Sequence, residues 1–120
     1  MFINKRGNEI LNYSGKCKKN VFGRTPFLWA AFYGHVGIMS VMYKSKPDVL
    51  QQTDGVLGET AMHAAAEKGH LAAVNQLLEW DAELIDTRNE DGETPFIIAA
   101  FNGRVHVLKA LYAKGGKRLL

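Results

Sequence analysis

The sequence predicts an all-α solenoid, in which pairs of helices joined by tight turns stack side by side and hairpin loops connect one pair to the next. A 13-residue unit with glycine, threonine, an alanine pair and a second glycine in register occurs three times, beginning at Gly23, Gly58 and Gly92. The periods are therefore 35 and 34 residues, and self-similarity at this spacing is typical of solenoid proteins. An amphipathic segment with helical rather than strand spacing follows each unit, so each repeat is predicted to hold two helices.

The first helix of each repeat has recognisable start and stop signals. In the first copy Thr25 is a good N-cap, and Pro26 has the φ angle of a first helical turn and no N–H to leave unpaired. Gly34 suits the position after the helix end, which commonly adopts a left-handed conformation. The pair Ala30-Ala31 allows a neighbouring helix to approach closely. We therefore predict the first helices near residues 25–34, 59–68 and 94–102.

The second helix of each repeat follows from apolar residues at intervals of three and four. In the first repeat it carries Gly37, which weakens a helix interior by about 0.5–1 kcal/mol relative to alanine. We predict the second helices near residues 36–45, 70–80 and 104–114. Their apolar positions are Val36, Ile38, Met39, Val41 and Met42, then Leu71, Val74, Leu77 and Leu78, then Val105, Val107, Leu108 and Leu111.

The repeated unit resembles the ankyrin repeat, whose marker is Thr-Pro-Leu-His followed by alanines and a Gly-His step. The second copy, Thr60-Ala61-Met62-His63, keeps the histidine and lacks the proline, whereas the other two copies keep the proline and lack the histidine. The resemblance covers roughly residues 20–113. It implies that His63 ties the turn together through hydrogen bonds, as the motif histidine does in ankyrin-like units.

One domain, residues 1–120, accounts for the whole pattern. We divide it into an N-terminal cap or partial repeat (1–22), two repeats (23–57 and 58–91), and a third repeat with a C-terminal tail (92–120). The loop before Gly23 is longer than the later connection and carries three lysines, Lys16, Lys18 and Lys19. It is either a solvated basic loop or a contact for an acidic partner.

Charge and composition narrow the class of protein. Residues 1–50 carry a net charge of +6, residues 51–100 carry −8 and residues 101–120 carry +5. The acidic middle would repel a nucleic acid laid along the solenoid, so no nucleic-acid partner is expected. The sequence contains no run of 18 apolar residues, so no transmembrane helix is predicted. A single cysteine, Cys17, permits no internal disulfide and fits a reducing compartment, so the predicted location is cytoplasmic, or nuclear.

The search for catalytic and metal-binding patterns gives a negative expectation. Gly15-Lys16 lacks the remaining residues of a phosphate-binding loop, and His63 with Glu67 lacks the second histidine of a zinc helix. Cys17 has no sequence neighbour that would act as its base. We therefore expect no enzymatic activity, no cofactor and no metal.

In ankyrin-like stacks, partners bind a concave surface formed by the hairpin tips, the residue after the first glycine and the two residues before the second glycine. By the resemblance, that surface gives the candidate partner-binding residues. An alternative for the aromatic ones in repeat one is that they cover the N-terminal end of the core. The candidates are Phe22, Arg24, Phe32, Tyr33, Val56, Leu57, Glu67, Lys68 and Phe101.

Two function classes remain open at this point. The first is a non-catalytic module that binds a protein or peptide through the concave face. The second is a targeting or substrate-recruiting segment of a larger protein, such as an enzyme, a channel or a bacterial effector. Weak self-association is a further expectation, because the third repeat has apolar residues with only a short tail to cover them. These residues are Ile97, Val105, Leu108 and Leu111.

Overall fold

The computed structural model describes residues 23–120, and within that range it contains helices and no strand. The predictions for residues 1–22, which include the N-terminal cap, the lysine loop and Phe22, lie outside the described residues. The all-α repeat solenoid is confirmed. The six α-helices of residues 23–120 are α1 (Pro26–Phe32), α2 (Val36–Ser45), α3 (Ala61–Lys68), α4 (Leu71–Trp80), α5 (Pro95–Phe101) and α6 (Val105–Gly115).

The first helix of each pair begins where the threonine predicts. The hydroxyl oxygens of Thr25 and Thr94 accept hydrogen bonds of 3.3 Å from backbone N–H groups three residues later. Pro26 and Pro95 occupy the first helical position. The predicted ranges extended one or two residues beyond these helices because they counted the capping residues, which have non-helical backbone angles.

A single turn of 3-10 helix follows each second helix, and the sequence analysis did not predict it. These connectors are Pro47–Gln51, Ala82–Asp86 and Gly116–Leu119. The first two bury an adjacent apolar pair, Val49-Leu50 or Leu84-Ile85. In the third, Leu119 packs against the core. The connectors therefore close one side of each helix pair.

The three inner helices α1, α3 and α5 lie side by side, and α4 lies between α2 and α6 in the second layer. Small side chains permit this close approach, because Ala31, Ala66 and Ala99 have no exposed surface. The core contains the residues between the layers. Its largest fully buried members are Phe27, Leu28, Met39, Met62, His63, Val74, Leu77, Leu84, Pro95, Val107 and Leu111.

The expectation for the C-terminal end is partly wrong. Ile97 and Val105 are exposed by 41% and 54%, and Leu108 is half-buried, but Leu111 has no exposed surface. Leu111 lies three residues after Leu108, about 60° around a helix with 3.6 residues per turn. That rotation gives it the register of Leu77, which is also fully buried, so Leu111 belongs to the core and not to the end surface.

Candidate functional site

The hairpin loops before α3 and α5 are built on the same hydrogen bond but differ in length. The Asp54 N–H donates to the Glu59 carbonyl at 3.0 Å, and the Asn89 N–H donates to the Glu93 carbonyl at 3.0 Å. The first loop thus closes over five residue steps and the second over four. This extra residue is the reason that the first period is 35 residues and the second 34.

The polar side chain at the start of each loop holds the loop's shape. One Asp54 carboxylate oxygen accepts hydrogen bonds from the N–H groups of Leu57 and Gly58, both at 2.8 Å. The Asn89 amide oxygen accepts from the N–H groups of Asp91 and Glu93, both at 2.9 Å. Both side chains are buried, so each loop is organised around a hydrogen-bonded polar group that is shielded from solvent.

The two loops are also bonded to each other. The Glu90 N–H donates to the Leu57 carbonyl at 2.7 Å. The Asn89 amide nitrogen donates across the loops to the Glu59 carboxylate at 3.1 Å, and within its own loop to the Glu93 carboxylate at 3.0 Å. These bonds set the spacing between the hairpin tips of successive repeats.

His63 makes the structural tie that the resemblance implied. Its Nδ1 accepts the Thr60 N–H at 3.1 Å, and its Nε2 lies 2.7 Å from the Glu93 carbonyl oxygen, to which only a protonated nitrogen can donate. The imidazole is fully buried, and burial is the main cause that lowers its pKa. Both ring nitrogens are bonded, so the prediction of a structural rather than a catalytic role agrees with the geometry.

Glu59 is a buried carboxylate that the sequence analysis did not single out. It is 5% exposed. Burial is the main cause that raises its pKa, the Asn89 hydrogen bond opposes that rise, and the charges of Glu67 and Asp54 add to it. Its register, shared with Arg24 and Glu93, was visible in the sequence. Its burial could not be predicted from the sequence, because it depends on the neighbouring hairpin.

We define the inner face as the surface formed by the residue after each first glycine and by the two residues before each second glycine. It combines aromatic, acidic and basic side chains. These positions are Arg24, Phe32 and Tyr33 in repeat one, Glu59, Glu67 and Lys68 in repeat two, and Glu93, Phe101 and Asn102 in repeat three. Glu59 is buried, and the other eight are half-buried or exposed.

Four of the candidate residues, all on the inner face, meet around Phe32. The Arg24 guanidinium lies 4.2 Å from the centre of the Phe32 ring, and the Lys68 ammonium lies 5.3 Å from it. Phe32 and Tyr33 pack edge to face with their centres 5.1 Å apart. Cations at these distances are attracted to an aromatic face. Repeats one and two therefore build one cationic and aromatic patch.

Trp29 supports this patch, although the sequence analysis did not include it. Its ring packs edge to face on Phe32 and stacks on Tyr33, with centres 5.6 and 5.8 Å apart. The signal was available, because residues three and four apart on a helix are neighbours.

The other described candidates differ in exposure. Phe101, in the same register as Phe32, is 88% exposed, and Val56 on the first hairpin is 46% exposed. Leu57 and Glu67 are half-buried. The binding role of all these residues stays a prediction.

Residues 23–120 contain neither a metal-binding cluster nor a membrane-spanning helix. No group of three or more histidine, cysteine, aspartate or glutamate side chains there could hold a metal ion. Among the same residues, no helix has the length and apolar character needed to cross a membrane.

Comparison with known proteins places the repeats in a family. A family model described as ankyrin repeats (3 copies) matches residues 3–86 and 43–119. A transient receptor potential cation channel subfamily A member 1 homolog of Caenorhabditis elegans is 33% identical over 94 residues, which are 78% of this chain and 8% of that protein.

Two further relatives are also much longer than this chain. Inversin of Danio rerio is 36% identical over 70 residues, which are 58% of this chain and 7% of that protein. The ankyrin repeat-containing protein ITN1 of Arabidopsis thaliana is 43% identical over 56 residues, which are 46% of this chain and 10% of that protein. The chain thus spans a tenth or less of the length of each of these relatives. With the family model matched over both overlapping ranges, the chain belongs to the ankyrin repeat family.

Proposed function

We propose that this chain is a non-catalytic protein-interaction module that binds a protein or peptide partner through its inner face, the concave face of the family. Ankyrin repeats are in general protein-interaction modules. The observation that carries the proposal for this chain is Phe101, which holds an aromatic ring 88% exposed on the inner face. Exposed aromatic side chains commonly mark interaction sites and contribute much of their binding energy.

The exposure of Phe101 also bears on the alternative for Phe32, that it covers the core. Phe32 is half-buried and does pack against the core. Phe101 is the equivalent residue of repeat three, and almost none of its surface is buried in the core. Repeat two, which has a repeat on each side, holds Glu67 in this register. The fold therefore does not require an aromatic residue there, which favours a binding role for Phe32 and Phe101.

The rigidity of the surface supports a binding role as well. Arg24 and Lys68 are held against Phe32, and the hairpin tips are fixed by buried Asp54 and Asn89. A surface that is already ordered loses less conformational entropy when a partner binds. Burying one phenylalanine ring contributes about 1.5–3 kcal/mol, so the aromatic residues would supply a substantial part of the binding free energy.

The second function class remains a proposal beside the first. The relatives are much longer than this chain and include a protein named as a cation channel. The inner face would then target a larger protein, or recruit a substrate to it, while the activity lies elsewhere. No catalytic role, cofactor or metal is proposed for the chain, and the cytoplasm or the nucleus is the proposed location on the strength of its single cysteine.

Affinity capture with matched variants tests the proposed function. The immobilised chain is compared with a Phe32→Ser, Tyr33→Ser, Phe101→Ser triple variant and with Val41→Ser, whose side chain is 66% exposed on α2 outside the inner face. Proteins retained by the original chain and by Val41→Ser, but lost from the triple variant, support the proposal. Equal retention by all three chains contradicts it, provided that circular dichroism shows the triple variant folded.

We also propose weak self-association through the end of repeat three. A groove of about 290 Å³ lies there, lined by Phe96, Leu108 and Tyr112 with Lys109 and Ala113. Phe27 and Met39, which have the registers of Phe96 and Leu108 in repeat one, are fully buried beneath repeat two. A second copy would cover the corresponding surface of repeat three.

Sedimentation equilibrium tests this association. A concentration-dependent mass that persists from about 0.05 to 0.5 M salt, and that falls in Leu108→Ser but not in His106→Ser, is expected of an apolar contact. A strict monomer at every concentration contradicts the proposal. Dissociation by salt alone would assign the contact to the oppositely charged segments instead.

A further inference from the structure

We infer that the partner segment of the inner face carries an acidic side chain, whose carboxylate binds in a groove between the end of α3 and the start of α6. This inference rests on the proposed function and adds the chemistry of the partner. It is carried by the cationic lining of the groove, by the ordered position of one of its cations, and by the contact that joins the groove to the Phe32 ring.

The groove has a volume of about 340 Å³ and a basic lining. Lys68, Arg104 and the imidazole of His106 line it, and none of the described residues around it contributes a carboxylate. The nearest carboxylate along the chain, that of Glu67, is directed elsewhere, because its charge acts on the buried Glu59 and adds to the rise in the pKa of that residue. The groove therefore offers positive charge to an anionic group.

The Arg104 side chain is held in a fixed position. A Cβ added at Gly69 would meet the Arg104 Cδ at 2.9 Å, so the stem of the side chain lies across the glycine of the preceding repeat. Its Nε donates to the Glu67 carbonyl at 2.9 Å, and its two terminal nitrogens make no hydrogen bond within residues 23–120. These two nitrogens match the two oxygens of a carboxylate, which a guanidinium binds through parallel hydrogen bonds. Phosphate groups are typically bound by several arginines, and this groove has one.

The equivalent turn between repeats one and two shows that the fold does not require these cations. Tyr33 is there in the position of Lys68. His70 is in the position of Arg104, and its side chain lies across Gly34 in the same way. Stacking of the repeats therefore needs a side chain across the glycine but neither a lysine nor an arginine. This favours a binding role for the two cations of the groove.

Lys68 joins the groove to the aromatic part of the inner face. Its side chain lines the groove, and its ammonium lies 5.3 Å from the centre of the Phe32 ring. A carboxylate oxygen about 2.8 Å from that ammonium would lie at most about 8 Å from the ring centre. Side chains on one side of an extended segment are two residues, or about 7 Å, apart. The acidic residue of the partner should therefore be one or two positions from an apolar residue that packs on Phe32 and Tyr33.

Peptide display on the full chain gives the first test. Short random peptides are selected on the immobilised chain and, in parallel, on Lys68→Gln. The expected result is an aspartate or glutamate one or two positions from an apolar residue, enriched on the original chain and much less on the variant. Enriched basic sequences, equal acidic enrichment on both chains, or the lack of any enrichment would overturn the inference.

The second test measures one enriched peptide by fluorescence anisotropy. Lys68→Gln and Arg104→Gln should each weaken binding about three- to tenfold, because each removes a cation from the groove. Lys44→Gln, which removes the same charge from an exposed side chain of α2, should weaken it by less than about twofold. Circular dichroism checks that the variants are folded, and Lys68→Gln alone decides if Arg104→Gln is not. Equal effects of Lys68→Gln and Lys44→Gln would mean that only the total charge matters and would overturn the inference.

A change in the peptide locates its carboxylate. Replacing the acidic residue of the peptide by the corresponding amide should weaken binding to the original chain, but should have little further effect on Lys68→Gln, because groups in contact are not additive. Additive losses would overturn the pairing. A phosphoserine peptide that bound about tenfold more tightly would overturn the carboxylate as occupant and assign the groove to a phosphate group.

The outcomes separate this inference from the proposed function. A peptide that loses affinity in the Phe32→Ser, Tyr33→Ser, Phe101→Ser triple variant, but not in Lys68→Gln, would keep the inner face as the binding site and overturn only the acidic character of its partner. A peptide that is insensitive to the triple variant and to Lys68→Gln would overturn both.

Discussion

Repeats two and three have similar sequences, but their equivalent residues are buried to different extents. In repeat two the six residues Ala61–Ala66 are all buried, whereas in repeat three the same positions, 95–100, include half-buried Phe96 and exposed Ile97 and Ala100. Repeat two has a neighbour on each side, and repeat three has a described neighbour on one side only. Burial in this fold is therefore set by the neighbouring repeat as much as by the residue itself, as expected for a solenoid.

At one equivalent position the middle repeat has a buried polar residue where the other two repeats have an apolar one. Leu28, His63 and Ile97 are equivalent in the three repeats. Leu28 is 1% exposed, His63 is fully buried with both ring nitrogens bonded, and Ile97 is 41% exposed. The position accepts an apolar side chain or a fully satisfied polar one when a following repeat covers it. The polar solution also links repeat two to the hairpin of repeat three.

The largest difference between the repeats is expected from core truncations. Leu77→Ala removes a fully buried side chain of repeat two, and we expect it to lower the free energy of unfolding by about 2–5 kcal/mol. Leu108→Ala removes a half-buried leucine of repeat three and should lower it by about 1–2 kcal/mol, in proportion to the smaller buried area. Urea unfolding of the two variants measures both values.

Equal losses in the two variants would contradict the contrast between the repeats. They would mean that Leu108 is as buried in solution as Leu77. If both losses grew with protein concentration, the cover would be a second copy of the chain.

A smaller effect is expected from the histidine tie. His63→Ala leaves the Thr60 N–H without its acceptor, while the Glu93 carbonyl loses one of its two hydrogen bonds and keeps the Asn89 N–H. An unpaired buried polar group costs about 1–3 kcal/mol. Ile97→Ala, in the same register of repeat three, should change stability by about 0.5 kcal/mol or less because its side chain is already exposed. Thermal and urea unfolding compare the two. A His63→Ala variant that lost binding at unchanged stability would instead indicate a functional role for the imidazole.

The buried histidine of repeat two should make the stability of the protein depend on pH. Burial lowers the pKa of His63 below its usual value of 6.5, so between the two values the unfolded chain binds more protons than the folded one. Stability should therefore fall as the pH decreases through that window. His63→Leu, which introduces the residue of repeat one, should flatten the decrease that begins as the pH falls below 6.5. An unchanged slope would contradict the assignment of that decrease to His63.

Glu59 should act with the opposite sign at lower pH. Its pKa is raised above 4.5, chiefly by burial, so the folded chain binds more protons in the window just above that value. Its contribution to stability is present below this window and is lost as the pH rises through the folded pKa. Glu59→Gln should therefore make the acid side of the stability profile steeper.

Local chemistry is the part of this fold that the sequence predicts well. Threonine, proline and glycine placed the helices within one or two residues, because caps and turns depend on near neighbours. The 3-10 connectors were not predicted, because a single apolar pair such as Val49-Leu50 or Leu84-Ile85 is too short to show a helical periodicity. The one-residue difference between the periods was visible, but only the hydrogen bonds of Asp54 and Asn89 locate it in the hairpin.

The candidate site was predictable in membership but not in exposure. Register alone placed Phe32 and Phe101 on one surface. It could not show that one ring is half-buried under two cations and the other is 88% exposed, because that depends on which side chains the adjacent repeat supplies. For the same reason the burial of Glu59 and Leu111 could not be read from their own positions.

The smallest predicted effect concerns helix propensity in repeat one. Gly37 is at the second position of α2, where repeat two has Ala72. Its φ is not positive, and a Cβ added there would meet no atom within 4 Å. Gly37→Ala should therefore raise the free energy of unfolding by about 0.4–1 kcal/mol, because it restricts the unfolded chain without straining the folded one.

Gly92→Ala is the matched control for this substitution. A Cβ at Gly92 would also meet no atom within 4 Å, but the residue has a φ of 78°. That conformation costs an L-residue about 1–2 kcal/mol, so Gly92→Ala should destabilise the protein although the space is equally open. Urea midpoints of the two variants decide the point. A gain from both would show that backbone strain is unimportant here, and a loss from both would contradict the prediction for Gly37.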